Sequence, residues 1–542
     1  MPVLASKIDT TADAFKANRD AQLALLAEFR AAEQRVRDNS NRQAAKFAKR
    51  GQLLPRERIA RLLDRGRPFL ELSTLAGYQM HDDDGGSDAA GGGNISGIGY
   101  VSGVRCIVGA SDSAIKGGSI APMGLKKNLR TQEIALQNKL PLVSLIESAG
   151  ANLLYQSEIF VDGGRVFANM ARMSAAGIPQ VTVVHGSSTA GGAYLPGLSD
   201  YVIAVRGQAK VFLAGPPLVK AALGEDSDEE QLGGALMHAS ITGTAEYLAE
   251  TDAHAIHVAR QVMANLATAP WNQRQGDLSP RSFKPPRHDP EELLGLVPVD
   301  FKKPYDAREV ILRLVDDSDF LEFKQLYGSA TVCGHATIEG HAVAIIGNNG
   351  PINPDGATKA AHFIQLCCQS GTPIIYLQNT TGYMVGTAAE QAGMVKHGSK
   401  MIQAVANATV PQITLIIGGS FGAGNYGMCG RSYDPRFVFA WPASRIAVMG
   451  GEQAAKVMEI ITVAKFARMG VTVDADAMAA MGKSIKDKLD AESTALYATA
   501  RLWDDGIIDP RDSRRVLAEA LAICRESETR TLRPNTFGVA RM

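Results

Sequence analysis

Pro141-Leu-Val-Ser-Leu-Ile-Glu-Ser-Ala-Gly-Ala151 and Pro373-Ile-Ile-Tyr-Leu-Gln-Asn-Thr-Thr-Gly-Tyr383 have one form: a proline, a short apolar run, then a turn built around glycine. Each apolar run is short and rich in Leu, Ile and Val, which reads as a buried strand, and the glycine turn after it marks a strand-to-helix junction. Working outward, a second proline follows each first one by 38 residues, Pro179 before Val181–Val184 and Pro411 before Ile413–Ile417. Thirteen residues further on lie Gly192, in Thr189-Ala-Gly-Gly-Ala-Tyr194, and Gly424, in Phe421-Gly-Ala-Gly-Asn-Tyr426. Fourteen residues before each first proline stands a lysine, Lys127 or Lys359. Upstream, Arg56-Glu-Arg-Ile59 leading to Phe69-Leu-Glu-Leu72 is echoed by Arg308-Glu-Val-Ile311 leading to Phe320-Leu-Glu-Phe323. This many matches at fixed offsets mark a duplicated domain.

Within each half the pattern is strand, glycine turn, helix, repeated: Leu142–Ile146, the turn Ser148–Ala151, a helix over Phe167–Ala175, then Val181–Val184 and the turn at Gly191-Gly192. The expected fold class is therefore α/β, with glycines where strands run into helices. A chain of 542 residues that is 45% apolar exceeds what one core sustains, since single cores stop growing near ~250–300 residues. The stretch Gln273–Pro298, rich in Pro, Arg and Gln, is the expected linker, which places the domains at 1–285 and 286–542. The first forty or so residues read as an amphipathic helix used for packing or oligomerisation, and Met80–Asn94, with Asp82, Asp83 and Asp84 among small residues, as an exposed flexible loop.

Bulk properties exclude several classes. The 56 basic and 56 acidic residues cancel and no basic stripe stands out, so the surface that nucleic acid requires is not expected. Six scattered cysteines show no zinc spacing and read as reduced thiols in an intracellular protein. The chain has no run of about 18 apolar residues, and its N-terminus has neither a signal h-region nor the acid-poor character of a transit peptide, so a soluble, cytoplasmic protein with no membrane association is expected.

The four matched turns are Ser148–Ala151, Ala190–Ala193, Thr380–Tyr383 and Gly422–Asn425. Amides exposed at the start of a helix can hold a phosphate or stabilise an oxyanion. The phosphate reading lacks a Gly-Lys-Ser/Thr loop or a well-formed G-x-G-x-x-G, which leaves the oxyanion reading ahead. Any single turn could equally serve only tight backbone packing; four in a matched duplicate favour chemistry. His185, His238, His362 and His397 stand singly and read as structural. The sequence Gly186-Ser-Ser-Thr-Ala190 lacks the last glycine of a nucleophile elbow, which argues against a serine hydrolase. The acidic run Glu225–Glu230 reads as a solvated loop, with cation binding the second reading, and no metal site is expected.

Together, Gly51-Gln-Leu-Leu-Pro-Arg-Glu-Arg58, Lys116-Gly-Gly118, Glu147-Ser-Ala-Gly-Ala-Asn-Leu153, Thr189–Tyr194, Phe212-Leu-Ala-Gly-Pro-Pro217, Gly382-Tyr-Met-Val-Gly386 and Asp504-Asp-Gly-Ile-Ile-Asp-Pro-Arg511 resemble the carboxyltransferase (β) subunits of biotin-dependent acyl-CoA carboxylases over nearly the whole chain. The resemblance implies two crotonase-like domains, spirals of ββα units. It also implies an active site between the N-domain of one protomer and the C-domain of another, and a homo-oligomer with a hexameric β core. Carried over by position, Gly191 and Gly192 donate amides to the oxygen of a coenzyme A thioester, and Ala423 and Gly424 hold the ureido oxygen of biotin. Gly150, Ala151, Gly163, Gly164 and Ala190 then belong to the acyl side, and Gly382, Tyr383 and Gly422 to the biotin side. In the family, carboxybiotin releases CO2 and its anion takes the substrate proton, so the base comes with the cofactor. The chain has no Met-Lys-Met biotinylation site and no biotin carboxylase region, so the resemblance implies a partner α subunit that carries both.

Ser148-Ala-Gly-Ala-Asn-Leu153 resembles the branched-enoyl members, where Asn-Leu follows the turn; acetyl- and propionyl-type members usually have Arg-Ile there. Such substrates are carboxylated at the γ carbon. Methylcrotonyl members typically show His-Phe-Gly-Arg-Ile-Phe at the helix start, whereas this chain has Asp162-Gly-Gly-Arg-Val-Phe167, which puts Gly163 where the pocket-closing Phe stands. The opened volume favours a geranyl-CoA-like substrate over 3-methylcrotonyl-CoA. A decarboxylase or transcarboxylase subunit of the same fold, and an inactive assembly scaffold, are the competing readings.

Overall fold

The structure is a computed structural model that describes residues 5–81, 83, 89–268, 280–470 and 474–539. It comprises two compact units: one of residues 31–278, 500–502 and 523–542, the other of 1–30, 279–499 and 503–522. This differs from the consecutive division expected at 285/286, because both chain ends cross over.

The first unit takes the later residues of α1 (Asp13–Asn41), together with α2 (Pro55–Leu62), α3 (Pro122–Gln137), α4 (Gln156–Ala175) and α5 (Asp252–Ala267). Its strands are β1 (Leu70–Leu72), β2 (Asn94–Val101), β3 (Val104–Ser111), β4 (Leu142–Ser148), β5 (Gln180–Thr189), β6 (Tyr201–Val205), β7 (Lys210–Phe212) and β8 (Tyr247–Ala249). The sheet order is β1-β2-β3-β4-β5-β6-β8, with β7 paired to the end of β5. β1, β2 and β3 are antiparallel, and from β3 onward the pairing is parallel. Alternate residues of these strands, such as Val143 and Leu145 or Val181 and Val183, join Ile256, Ala259 and Met263 of α5 in one fully buried core. The crossing C-terminus is tied in by Arg530, which donates to the carbonyls of Lys139 and Arg105.

The second unit contains α6 (Ala307–Leu314), α7 (Pro354–Ser370), α8 (Met394–Ala406), α9 (Gly451–Arg468), α10 (Ala475–Glu492) and most of α11 (Ser513–Thr529). Its strands are β9 (Leu321–Glu322), β10 (Thr331–Ile338), β11 (His341–Asn348), β12 (Ile374–Thr380), β13 (Gln412–Phe421), β14 (Phe437–Ala440) and β15 (Arg445–Ala447). The order β9-β10-β11-β12-β13-β14, with β15 paired to the end of β13, repeats the first sheet. The N-terminal segment belongs here for a packing reason. The ring of Phe15 lies on Gly295, where a Cβ would come within 2.5 Å of it, and Glu309 accepts from Ser6 and from the Lys7 amide.

The duplication extends to single hydrogen-bond registers. Strand pairing shifts between Ile146 and Ser148 in one unit and between Gln378 and Thr380 in the other. Isolated parallel bridges join Ile120 to Ala151 and Ile352 to Tyr383. Arg56 pairs with Glu71 at 2.8 Å, and Arg308 with Glu322 at 2.5 Å. Lys127 and Lys359 are both buried.

Two local expectations change. The helix expected over 167–175 starts at Gln156, because Ile159, Val166, Met170 and Met173 form a buried face that carries it across Gly163-Gly164. Of the acidic loop, Asp82 and Asp84 lie outside the described residues, but Asp83 is not exposed: it is buried, 2.7 Å from Arg35, and accepts from the Gln79 amide.

All six cysteines are free and five are buried; burial pushes the thiols of Cys106, Cys333 and Cys367 up to about 12. The folded chain at pH 8 is therefore expected to release one equivalent in a thiol titration, from Cys368, and six after denaturation. Two or more fast-reacting thiols in the folded protein would contradict this packing.

Candidate active site

In the first unit, β4 ends at Ser148 and the chain turns through Gly150 at φ +83°, a left-handed conformation natural only to glycine. Ser148 Oγ accepts from the Gly150 amide at 3.1 Å. Next to it, β5 runs to Thr189 and passes through Ala190 at φ +53° into a helical turn, Ala190–Ala193, continued by Tyr194–Gly197. The two turns touch. A Cβ on Gly192 would lie 2.9 Å from Ser148 Oγ, and one on Gly150 would lie 3.3 Å from the Thr189 carbonyl oxygen. Ser188 Oγ donates to the Gly192 carbonyl at 2.9 Å and fixes the second turn from behind.

The second unit repeats the arrangement. Gly382, at φ +117°, follows β12, and its amide donates to Thr380 Oγ1 at 3.2 Å. After β13, Gly422 takes φ +55° and ψ −147° and begins the short helix Ala423–Gly427. A Cβ on Gly424 would lie 2.8 Å from Gly382 Cα. The Tyr383 hydroxyl donates to the Gly398 carbonyl and lies against Gly427 of the short helix, and burial raises its pKa. Thr381, within the first of these turns, and Phe421, just before the second, help line a cavity of about 400 Å³ with Lys302, Arg445, Lys486 and Glu452.

The structure thus brings Gly150-Ala151 together with Ala190, Gly191 and Gly192, and Gly382-Tyr383 together with Gly422, Ala423 and Gly424. The first amides of a helix have no partner inside it and sit at its positive end. Gly191-Gly192 and Ala423-Gly424 occupy that position in each unit, so each unit presents one pair of main-chain donors suited to a carbonyl oxygen that gains negative charge.

Gly163 and Gly164 lie in the middle of α4, where a Cβ on either would meet nothing within 4 Å. One turn later on the face of Gly163, Phe167 reaches the turn: its ring lies 3.8 Å from a Cβ built on Gly191. The ring of Tyr194 tilts against Phe167 at 5.5 Å.

The histidines that stand singly in the sequence each have a partner. His238 contacts the Val211 carbonyl, His362 contacts Lys324, and His397 contacts Thr358. The acidic run is engaged as well: Asp228 caps the helix Glu229–Gly233, Asp226 pairs with Lys220, and Glu230 with Lys210.

Sequence reasoning missed a buried cluster behind the first unit's turns, in which Arg58 contacts Glu147 and Asp252, and Asp252 contacts His185. Arg58 and Glu147 stood in recognised motifs, but nothing in their spacing linked them to Asp252. Ala190 was read from the sequence as part of the acyl side, but its positive φ, unusual for a non-glycine residue, carried no sequence signal.

Residues 46–539 match the carboxyl transferase domain family. The chain is 47% identical to a probable mitochondrial methylcrotonoyl-CoA carboxylase beta chain of Drosophila melanogaster, covering 100% of this chain and 95% of the relative. It is 49% identical to a probable biotin-dependent acyl-coenzyme A carboxylase beta2 subunit of Mycobacterium tuberculosis, covering 91% of each. Its structure is similar to that of the geranyl-CoA carboxylase beta subunit of P. aeruginosa, with 59% identity, a TM-score of 0.93 and full coverage of both chains. The fold is accordingly the duplicated crotonase-type fold of these carboxyltransferases.

Gly422 occupies a region of φ and ψ that side chains rarely adopt, and a Cβ there would lie 3.2 Å from the Val448 carbonyl oxygen. Gly422→Ala is expected to cost about 1–3 kcal/mol, read from a denaturant midpoint. Ala190→Gly should cost less than ~1 kcal/mol, because relief of the positive φ offsets the added backbone entropy.

Proposed function

The chain belongs to the carboxyl transferase family, and we propose on that premise that it is the carboxyltransferase subunit of a biotin-dependent acyl-CoA carboxylase. It transfers a carboxyl group from carboxybiotin, held on a partner subunit, to the γ carbon of a branched enoyl-CoA, with geranyl-CoA preferred. The observation that carries the reading is the pair of matched donor turns, one in each unit. Two oxygens gain charge during such a transfer, the thioester oxygen of the enolate and the ureido oxygen of biotin, and each needs preorganised donors rather than an ionisable side chain.

On the acyl side, the amides of Gly191 and Gly192 receive the thioester oxygen, with Gly150, Ala151 and Ala190 forming the adjoining wall. Each such donor lowers the barrier by about 2.7–4 kcal/mol. On the other side, the Ala423 and Gly424 amides suit the ureido oxygen. The cavity lined by Thr381 and Phe421, the sequence neighbours of Gly382 and Gly422, is about 400 Å³ and has room for a group of biotin's size. Carboxybiotin, when bound, supplies the carboxyl group and the base for the γ proton. The chain's own residues orient both partners and hold the developing charge.

Gly163 supports the longer substrate. It leaves open the face of α4 that carries Phe167 over the Gly191 turn, where an aromatic side chain would fill the space. The 59% identity to a geranyl-CoA carboxylase beta subunit, against 47% to a methylcrotonoyl-CoA carboxylase beta chain, points the same way. The proposal includes a biotin-carrying α partner, a homo-oligomeric core, hexameric by resemblance, and a cytoplasmic location. Among the described residues no helix is long and apolar enough to cross a membrane.

The test is the chain reconstituted with its α subunit, ATP and labelled bicarbonate, offered geranyl-, 3-methylcrotonyl- and propionyl-CoA. Label should enter geranyl-CoA fastest, and no incorporation into any acyl-CoA would overturn the assignment. Gly163→Phe should lower kcat/KM for geranyl-CoA at least ~10-fold and leave that for 3-methylcrotonyl-CoA within about threefold, since the pocket loses roughly a ring's volume.

A further inference from the structure

Behind the first unit's two turns, Arg58 lies between two carboxylates on different elements. We propose that the cluster Arg58–Glu147–Asp252–His185 is a positioning device that sets the relative placement of the acyl-side donor turns. The proposal deepens the acyl-CoA reading and rests on it.

The geometry is specific. Arg58 on α2 is fully buried, with Nε 3.0 Å from Asp252 Oδ2 and Nη1 3.4 Å from Glu147 Oε2. Glu147 is the residue immediately before Ser148, and so stands at the root of the Ser148–Ala151 turn. Asp252, the first residue of α5, contacts Nδ1 of His185 and accepts from the Leu53 amide at 2.7 Å. His185 lies in β5, the strand that delivers Ala190–Gly192, and its carbonyl accepts from Gln52 Nε2 at 2.9 Å. On β5 itself, Gly186 has no side chain where Glu147 fills the space: a Cβ there would lie 2.6 Å from Glu147 Cδ. One guanidinium therefore links the strand ending in one turn, through Asp252, to the strand ending in the other.

The duplicate shows that the fold itself does not require these charges. At the 232-residue offset that relates the two sets of turns, Asn379 stands for Glu147, Ile417 for His185 and Gly418 for Gly186; in the upstream echo Val310 stands for Arg58. Asn379 packs on Gly418 as Glu147 packs on Gly186, and its Oδ1 accepts from the Gly419 amide at 3.2 Å. The second unit thus builds the same two strands and the same two turns with neutral groups at the positions of Glu147, His185 and Arg58. Buried ions carry a desolvation penalty of several kcal/mol each, and a neutral replacement of similar shape is often as stable or more so. Only the half whose turns face the acyl thioester has the ionic version. Burial and the Arg58 charge hold His185 below its usual pKa, so its Nδ1–H can donate to an ionised Asp252.

A positioning role predicts a particular kinetic pattern. Contacts that place the donor amides act on the transition state, whereas ground-state binding comes from the rest of the acyl-CoA. The experiment uses the reconstituted holoenzyme with two variants: Arg58→Lys, whose point charge replaces the fork spanning both carboxylates, and the neutral pair Arg58→Met with Asp252→Asn, whose single amide oxygen keeps an acceptor for one of the His185 and Leu53 donors. Both should assemble, with kcat for the preferred acyl-CoA reduced at least ~10-fold and its KM within about twofold of the parent. A kcat within twofold of the parent in the folded neutral pair would overturn the proposal, as would a raised KM at unchanged kcat. Failure of both variants to fold would overturn it too, by assigning the cluster to folding alone. If the unmodified holoenzyme carboxylates no acyl-CoA, it is the functional reading that fails.

Discussion

The structure depends on how closely two turns approach each other at the ends of neighbouring parallel strands. Gly192 sits where a Cβ would press on Ser148, and Gly424 where one would press on Gly382. Parallel strands already lie side by side, so the residues that follow them are neighbours at no extra cost in chain entropy. Removing the side chain at one position in each unit lets the backbones close up, and the first helical amides then point out beside the preceding turn. The register shifts in β4 and β12 belong to the same device, because both fall one residue short of the turn they redirect.

The two units solve this geometric problem with different chemistry. In the second, Gly422 adopts a backbone conformation that glycine tolerates without strain; in the first, Ala190 takes positive φ despite its methyl group. The first unit also buries an arginine and two carboxylates where the second uses an asparagine and aliphatic side chains. Strain and buried charge are both unfavourable in isolation, and both fall behind or within the same pair of turns. Their concentration there fits a site that must hold donor atoms to a narrow tolerance. It does not fit a surface selected only for packing.

Much of this was legible in the sequence because duplication converts weak local signals into repeated ones. One glycine turn after a strand means little, but Gly150, Gly192, Gly382 and Gly424 recur at a single offset, as do Lys127 and Lys359, and the structure shows the same offset in its bridges and bulges. Features without a counterpart in the other half were not legible. The Arg58 cluster joins residues up to 194 positions apart, and Glu147 and His185 have neutral equivalents in the other unit. The crossing of the chain ends was hidden for a related reason: Phe15 on Gly295 and Arg530 on Lys139 are long-range contacts that no periodicity encodes. Asp83 read as part of a solvated acidic loop because only tertiary structure brings Arg35 to it.

Gly163 and Gly164 show where local and global preferences conflict. Each is less favourable than alanine in a helix interior by about 0.8–1.0 kcal/mol, and together they made the sequence read as a helix start. The helix persists because Ile159, Val166, Met170 and Met173 bury a continuous face, and each such side chain contributes about 1.5–3 kcal/mol. Packing therefore outweighs propensity by several kcal/mol, and the same bookkeeping shows that alanine at both sites would give a more stable helix with no steric objection, since a Cβ at either meets nothing. A helix that forgoes this stabilisation keeps the space beside Gly163 and Gly164 free of side chains, one turn before Phe167 reaches toward Gly191.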